Sequence, residues 1–249
     1  MATVTLTTDF GTADGYVGAM KGVLARLAPD ARVVDVTHEV PRFDIAHGAW
    51  ALYTAAREFP RGTVHVAVVD PGVGGDRAAV IVAIDGHLFV GPDNGLFAYL
   101  AATGTVEGTW AITSTAFRMA EVAPTFHGRD VFAPAAAALA RGLPPEAAGP
   151  ATCLTGRLPW TVTPAIAPGG YGVVVHVDHF GNLVTNLPGP ARAVRIADTV
   201  APPVRTYCDV ARGALACYVG SSGTLEIALR DRSAADVLGV TRGATVELA

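Results

Sequence analysis

The sequence predicts an α/β protein: an N-terminal, mainly parallel sheet with helices on both faces, followed by a C-terminal antiparallel, β-barrel-like domain. Three observations carry this. From Val4 to Val69, β-branched strands alternate with amphipathic helical stretches, an order that yields parallel strands covered on both sides. Proline and glycine then accumulate at Pro144, Pro145, Pro159, Pro164, Pro168, Gly169 and Gly170. Beyond them strand follows strand, with Gly- and Pro-rich turns and almost no helical periodicity. The expected division is an α/β domain over 1–150, a linker over 151–170 and a β domain over 171–249.

The elements follow in order. Val4 to Thr8 is a β-branched strand that ends in Thr8-Asp9-Phe10-Gly11. After Asp14, Val17, Met20, Val23, Leu24 and Leu27 share one helical face, and Pro29 ends the helix. Ala31 to Val36 is the next strand. Asp44 is placed to cap a helix over Ala46 to Glu58, with Trp50 and Leu52 on its apolar face. Thr63 to Val69 reads as a buried central strand. Ala78 to Ile84 and His87 to Val90 form a hairpin through Asp85-Gly86. Gly91 to Gly95 is a turn cluster before a short helix, Leu96 to Ala102, and an Ala-rich helix covers Ala133 to Arg141, with Asp130 as its possible cap. The later strands are Gly172–Asp178, Leu183–Asn186, Ala193–Ile196, Ala216–Val219, Thr224–Ala228 and Ala244–Leu248.

Composition removes several classes of function. The 249 residues are 51% hydrophobic and 16% charged, enough for a sizeable core. The net charge of −4 and the lack of a basic run argue against a nucleic-acid footprint. No apolar run reaches the roughly 18 residues that span a bilayer. The stretch Met1 to Leu6 has no basic n-region, and the three cysteines, Cys153, Cys208 and Cys217, have no CxxC spacing. A cytoplasmic protein with reduced thiols is expected. The histidines show no metal-ligand spacing with Asp, Glu or Cys, so no metal is expected. There is no GxGxxG and no P-loop, which removes support for a phosphate cradle or a dinucleotide-like first loop.

The chemistry gathers at strand ends. Asp70 closes the central strand and is followed by Pro71-Gly72-Val73-Gly74-Gly75-Asp76-Arg77, a turn from which Arg77 returns toward Asp70. In open α/β sheets this is the edge where ligands bind. Asp9 and the pair Asp93, Asn94 stand at two further strand-to-loop junctions. An acid near a first strand suits ribose hydroxyls. His127, in Thr125-Phe126-His127-Gly128-Arg129-Asp130, precedes a helix; a lone histidine in such a place is more often structural than catalytic. In the β domain, Asp178-His179-Phe180-Gly181-Asn182 and Gly220-Ser221-Ser222-Gly223 break strands with turn-forming residues. An aromatic and an amide in one loop suit a purine.

Thr8-Asp9-Phe10-Gly11, Val69-Asp70-Pro71-Gly72-Val73-Gly74, Pro92-Asp93-Asn94-Gly95, Pro124 through Asp130 and Asp178 through Asn182 occur in this order in a known family. The chain resembles the S-adenosyl-L-methionine (SAM) hydroxide adenosyltransferases, adenosine-forming SAM hydrolases related to the fluorinase and chlorinase. The resemblance runs from Thr5 to the C-terminus, and it is the five loops as a set that are specific. It implies hydrolysis of SAM to adenosine and L-methionine by attack of water or hydroxide on ribose C5′, without a cofactor. It also implies a homotrimer with sites where one subunit's N-terminal domain meets a neighbour's C-terminal domain. Asp70, Arg77 and His127 match the family's water-handling set. Asp9 matches its ribose carboxylate, Asp178 the acid at the methionine amino group, Phe180 and Asn182 the adenine side, and Ser221 and Ser222 the methionine carboxylate loop. Phe43, Asp93, Asn94, Phe126, Gly128 and Tyr207 complete the implied substrate-binding set. The halogenases carry Tyr where this chain has Asp70 and His127, Ser at Gly128 and Arg at Ser222. These departures favour water over halide and leave the Ser222 contact open. Two alternatives stand: a nucleoside-binding protein with little turnover, and a SAM-dependent halogenase.

Overall fold

This computed structural model describes residues 1–161 and 170–249; residues 162–169, part of the expected linker, lie outside the described residues. The chain divides into two compact units, Met1–Leu158 and Pro159–Ala249, so the division falls inside the stretch read as a linker. Within the first unit, Ala151 bridges to Trp110, and Thr155 and Gly156 hydrogen-bond to Asp93.

The first unit contains β1 (Thr3–Thr8), α1 (Tyr16–Leu27), β2 (Arg32–Thr37), α2 (Ile45–Ala56), β3 (Val64–Val68), β4 (Ala79–Ile84), β5 (His87–Pro92), α3 (Ala98–Thr103), β6 (Val106–Ala111) and α4 (Ala133–Ala140). Its sheet has the order β2-β1-β3-β5-β4-β6. β2, β1, β3 and β5 pair in parallel, as the alternating pattern implies, while β4 runs antiparallel to both neighbours. The β4–β5 reversal turns on Asp85 and Gly86 with φ of 49° and 77°, the positive pair a two-residue hairpin turn requires. β6 was not expected. Its sequence, Val-Glu-Gly-Thr-Trp-Ala, shows too weak an apolar alternation to announce an edge strand.

Both faces of this sheet are covered. Val64, Val66 and Val68 of β3 join α1 and α4 in one core cluster, whereas Ala67 and Val69 join Leu52 and Ala56 of α2 in another. That alternation is the period of two expected of a strand buried on both sides. Asp44 caps α2 by accepting the His47 amide at 3.0 Å.

The second unit contains β7 (Tyr171–Val177), β8 (Leu183–Pro188), β9 (Val194–Ile196), β10 (Thr199–Ala201), β11 (Leu215–Val219), β12 (Thr224–Leu229), α5 (Ala234–Leu238) and β13 (Thr245–Leu248). The order is β10-β9-β13-β7-β8-β12-β11, with every adjacent pair antiparallel. A Pro203–Cys217 bridge brings the two ends of the sheet together, so it nearly closes as a barrel around Val174, Leu183, Cys217, Ile227 and Val246. The short elements β10 and α5 lay below the length at which a pattern is visible in sequence.

One buried titratable group ties the first unit's stability to pH. His65 is fully buried on β3, bonded through Nδ1 to Thr5 Oγ1 at 2.8 Å and through Nε2 to His87 at 3.2 Å. Burial first, and His87 second, push it down to about 3, whereas the unfolded chain takes up that proton near 6.5. Between these values the unfolded state binds more protons, so the contribution is fully present above 6.5 and is lost as pH falls toward 3. The melting temperature is expected to fall on acidification from pH 6.5, and to fall less steeply in His65→Gln. Equal slopes would assign the acid sensitivity to other groups.

Candidate active site

The carboxyl ends of β1 and β3 open onto a cavity of about 820 Å³. Its wall includes Asp9, Phe10, Tyr16, His38, Phe43, Asp70, Phe126, His127 and Gly128. Six of the sequence-predicted residues therefore share one cavity: Asp9, Phe43, Asp70, Phe126, His127 and Gly128.

Arg77 joins two of them from behind. Its Nε donates to both Asp70 oxygens at 3.1 and 3.0 Å, its Nη2 donates to Oδ2, and Nη2 also donates to His127 Nδ1 at 2.7 Å. The Arg77 and Asp70 side chains are only 11% and 4% exposed. A guanidinium is always a donor. His127 Nδ1 must therefore hold a lone pair, and the ring's proton sits on Nε2. Partial burial, then the Arg77 charge, hold His127 below the ordinary 6.5, so at neutral pH the ring is neutral.

The surrounding loops fix this chain. Asn94 Nδ2 donates to the carbonyl of Val69, immediately before Asp70, at 2.8 Å. Gly74 has φ of 78°, and a Cβ there would lie 2.5 Å from the Pro124 carbonyl; only glycine lets the Asp70–Arg77 loop meet the loop that carries His127. After His127 the backbone winds as a π-helical turn, Gly128–Phe132, into α4. Asp130 does not cap that helix. It is buried, accepts the Ala123 amide at 2.9 Å and pairs with Arg129, whose hydrogen bonds hold its carboxyl below the usual range.

Asp9 Oδ2 accepts the Phe43 amide at 2.9 Å. Phe43 has φ of 66° and is 68% exposed, a strained conformation for a bulky residue at the cavity mouth. Phe10, Tyr16 and Phe126 form an edge-on aromatic trio with centroids 5.3 to 6.1 Å apart. At Gly128 a Cβ would lie 3.2 Å from both Met20 Sδ and the Phe10 ring, so a larger side chain is crowded.

Asp93 and Asn94 do not line the cavity. Asp93 is buried and accepts Thr155 N, Thr155 Oγ1 and Gly156 N at 2.7 to 2.8 Å. With Asn94 on the Val69 carbonyl, the pair supports the site from outside it. Local sequence gave these residues the look of ligand groups because turns use the same side chains. Tyr16 and His38 are wall residues that the sequence reading missed. Tyr16 lies in the first turn of a helix, and His38 in a loop with no motif.

In the second unit, Phe180, Asn182 and Tyr207 share a cavity of about 380 Å³. Asp178 accepts Phe180 N, Asn182 N and Asn182 Nδ2 at 2.8 to 2.9 Å, which closes its loop. Ser221 and Ser222 occupy the β11–β12 turn and do not line that cavity; Ser222 Oγ lies 3.3 Å from Thr224 Oγ1. Tyr218 and Glu226, also missed, stand opposite each other on β11 and β12, and burial pushes both upward. Among the described residues, no group of three or more His, Cys, Asp or Glu is placed to hold a metal.

A mainly parallel α/β unit with a carboxylate–guanidinium–imidazole chain at its cavity, joined to an antiparallel barrel-like unit, places the chain in a class of two-domain enzymes. The chain belongs to the SAM hydroxide adenosyltransferase family: the family's N-terminal domain matches residues 4–149 and its C-terminal domain residues 172–247. Similar proteins include the (R)-S-adenosyl-L-methionine hydrolases of Salinispora tropica, 45% identical over 96% of this chain and 95% of that one, and of Thermus thermophilus, 41% identical over the full length of both. A fluorinase of an Actinoplanes species is 28% identical over 72% of this chain and 69% of its own. A crystal structure of a conserved protein from Thermotoga maritima has a TM-score of 0.90 at 34% identity, covering 99% of this chain and 100% of that one.

The tautomer is directly measurable. Nitrogen NMR of His127 is expected to show an unprotonated Nδ1 and a titration below 6.5 that moves upward in Arg77→Ala. A protonated Nδ1 in the neutral wild-type ring would overturn the assignment.

Proposed function

We propose that this chain hydrolyses S-adenosyl-L-methionine, in the (R) form at sulfur named for its relatives, to adenosine and L-methionine. Membership of the family supports the reaction, and the Asp70–Arg77–His127 chain in the cavity wall carries the mechanism. Water oxygen bonds to C5′ while the C5′–S bond breaks. Its electron pair goes to sulfur, the sulfonium becomes a neutral thioether, and the water loses one proton. The leaving group is neutral, so it needs no general acid.

The nucleophile is what needs help, since bulk water has a pKa near 15.7. His127 Nε2–H donates to the water oxygen and, with the Arg77 charge behind it, stabilises developing hydroxide. Arg77 cannot take the proton. His127 Nδ1 is already engaged by Arg77. Asp70 keeps lone pairs beyond those that meet Arg77 and accepts the proton. The same carboxylate repels a halide ion, and a side chain at Gly128 would have to displace Met20 or Phe10 slightly.

Asp9 holds the ribose diol and Phe43 covers the adenosyl group, with Phe126 and Gly128 shaping the wall. Asp178 takes the methionine ammonium, Phe180, Asn182 and Tyr207 the adenine side, and Ser221 and Ser222 the methionine carboxylate. The working form in this reading is a cytoplasmic homotrimer whose sites lie between neighbouring subunits. The exposure of Phe43, Phe180 and Tyr207, at 68%, 74% and 49%, supports a further protein surface over them.

The deciding experiment is turnover of SAM in H₂¹⁸O with and without chloride, followed by mass spectrometry. Labelled adenosine is expected in both, with kcat about 10²–10⁴-fold lower in Asp70→Ala and His127→Ala. A 5′-chloro product would make the chain a halogenase. Adenosine binding without turnover would make it a binding protein.

A further inference from the structure

A second run of polar contacts ends at the same cavity, and the reaction above does not use it. Lys21 Nζ pairs with Asp35 Oδ2 at 2.6 Å, on the exposed side of β2. Asp35 Oδ1 lies 3.1 Å from His38 Nε2, as an off-axis charge contact. His38 Nδ1 meets Thr8 Oγ1 at 2.8 Å. Thr8 Oγ1 in turn accepts the Phe10 amide at 3.3 Å, and the His38 carbonyl accepts the Gly11 amide at 2.8 Å. Asp9 is the residue between these anchored positions.

The directions of these bonds follow from the groups. A carboxylate facing Nε2 favours the proton there. In the neutral ring Nδ1 is then an acceptor, and the Thr8 hydroxyl donates to it while its own lone pair takes the Phe10 amide. Thr8 is fully buried and His38 is 6% exposed, so no water competes for these bonds. The result is a strand end whose backbone is held on both sides of Asp9. Asp9 Oδ2 is occupied by the Phe43 amide, and among the described residues nothing donates to Oδ1.

We propose that His38 is a positioning residue for ribose recognition: through Thr8 and the Gly11 amide it holds Asp9 with Oδ1 presented to a vicinal diol. This rests on the reading of Asp9 as the ribose carboxylate. A carboxylate grips two adjacent hydroxyls only when its orientation is fixed, because a freely rotating one gains little from the second hydroxyl over water. The Asp35 carboxylate favours the tautomer in which the Thr8 hydroxyl donates to the ring. His38 thus sets specificity for ribonucleosides over deoxyribonucleosides without itself touching the diol.

The test is calorimetric binding of adenosine and 2′-deoxyadenosine to the wild-type protein and to Asp9→Asn, Thr8→Val and His38→Gln, with SAM kinetics alongside. Wild type is expected to prefer adenosine, and each variant to lose about tenfold of that preference, the worth of roughly one hydrogen bond. The loss in Thr8→Val and His38→Gln is expected to be non-additive and to fall on KM more than on kcat. Thr8→Val is nearly isosteric and keeps the test alive should His38→Gln not fold. If Asp9→Asn removes the preference but Thr8→Val and His38→Gln keep it, the positioning role is wrong and the ribose assignment stands. If Asp9→Asn also keeps it, or the wild type binds no adenosine, the ribose assignment fails and this proposal with it.

Discussion

The site depends on one buried cation. Arg77 is almost enclosed, and its charge is compensated by Asp70. A buried pair of this kind is worth little net stability, but removing one partner leaves the other uncompensated at a cost of about 3–5 kcal/mol. The arrangement is therefore self-enforcing: Asp70 cannot turn away from Arg77, and Nη2 has a second hydrogen to place. That hydrogen meets His127 Nδ1, which sets the tautomer of a ring on the cavity wall. Charge compensation thus becomes a choice of which nitrogen carries a proton.

Around that interaction the fold supplies anchors. The carboxyl ends of β1 and β3 put Asp9 and Asp70 on one edge of the sheet. Asn94 fixes the backbone before Asp70, Gly74 lets two loops touch, and the π-helical turn after His127 sets its entry into α4. Loops alone would hold such a constellation loosely. Here each loop leaves a buried strand or enters a buried helix and is tied to its neighbours by hydrogen bonds, which holds the side chains in place.

The second unit follows a different plan. Its loops satisfy themselves: the Asp178 carboxylate gathers three donors from its own turn, and Gly181 takes φ of 80° to close it. This leaves Phe180 74% exposed, with its ring edge-on to that of His179. Tyr218 and Glu226 sit close by, both biased toward their neutral forms by burial. The unit presents a preformed polar surface on a barrel-like scaffold whose mainly apolar interior also buries Thr185 and Thr224, and whose Cys217 is pushed up to about 12 by burial and so inert.

The sequence by itself determined what depends on short-range periodicity and turn chemistry. The alternation of strands and helices, the Asp85-Gly86 hairpin, the Asp44 cap and the switch to consecutive strands were all legible, because each is written within a few residues. So was the placing of acids at strand ends. Short or weakly apolar elements such as β6, β10 and α5 were not, because packing rather than pattern stabilises them. Only the tertiary structure decided which polar residues face the cavity. Asp93 and Asp70 look alike in sequence, but Asp93 is consumed by Thr155 and Gly156, some sixty residues away. Asp130 reads as a cap and turns back to Ala123. Arg77 and His127 are fifty residues apart, and their bond, with the tautomer it imposes, exists because sheet register and a glycine contact bring two loops together. A long-range pairing depends on the path of the whole chain between its ends, and local sequence carries no record of that path.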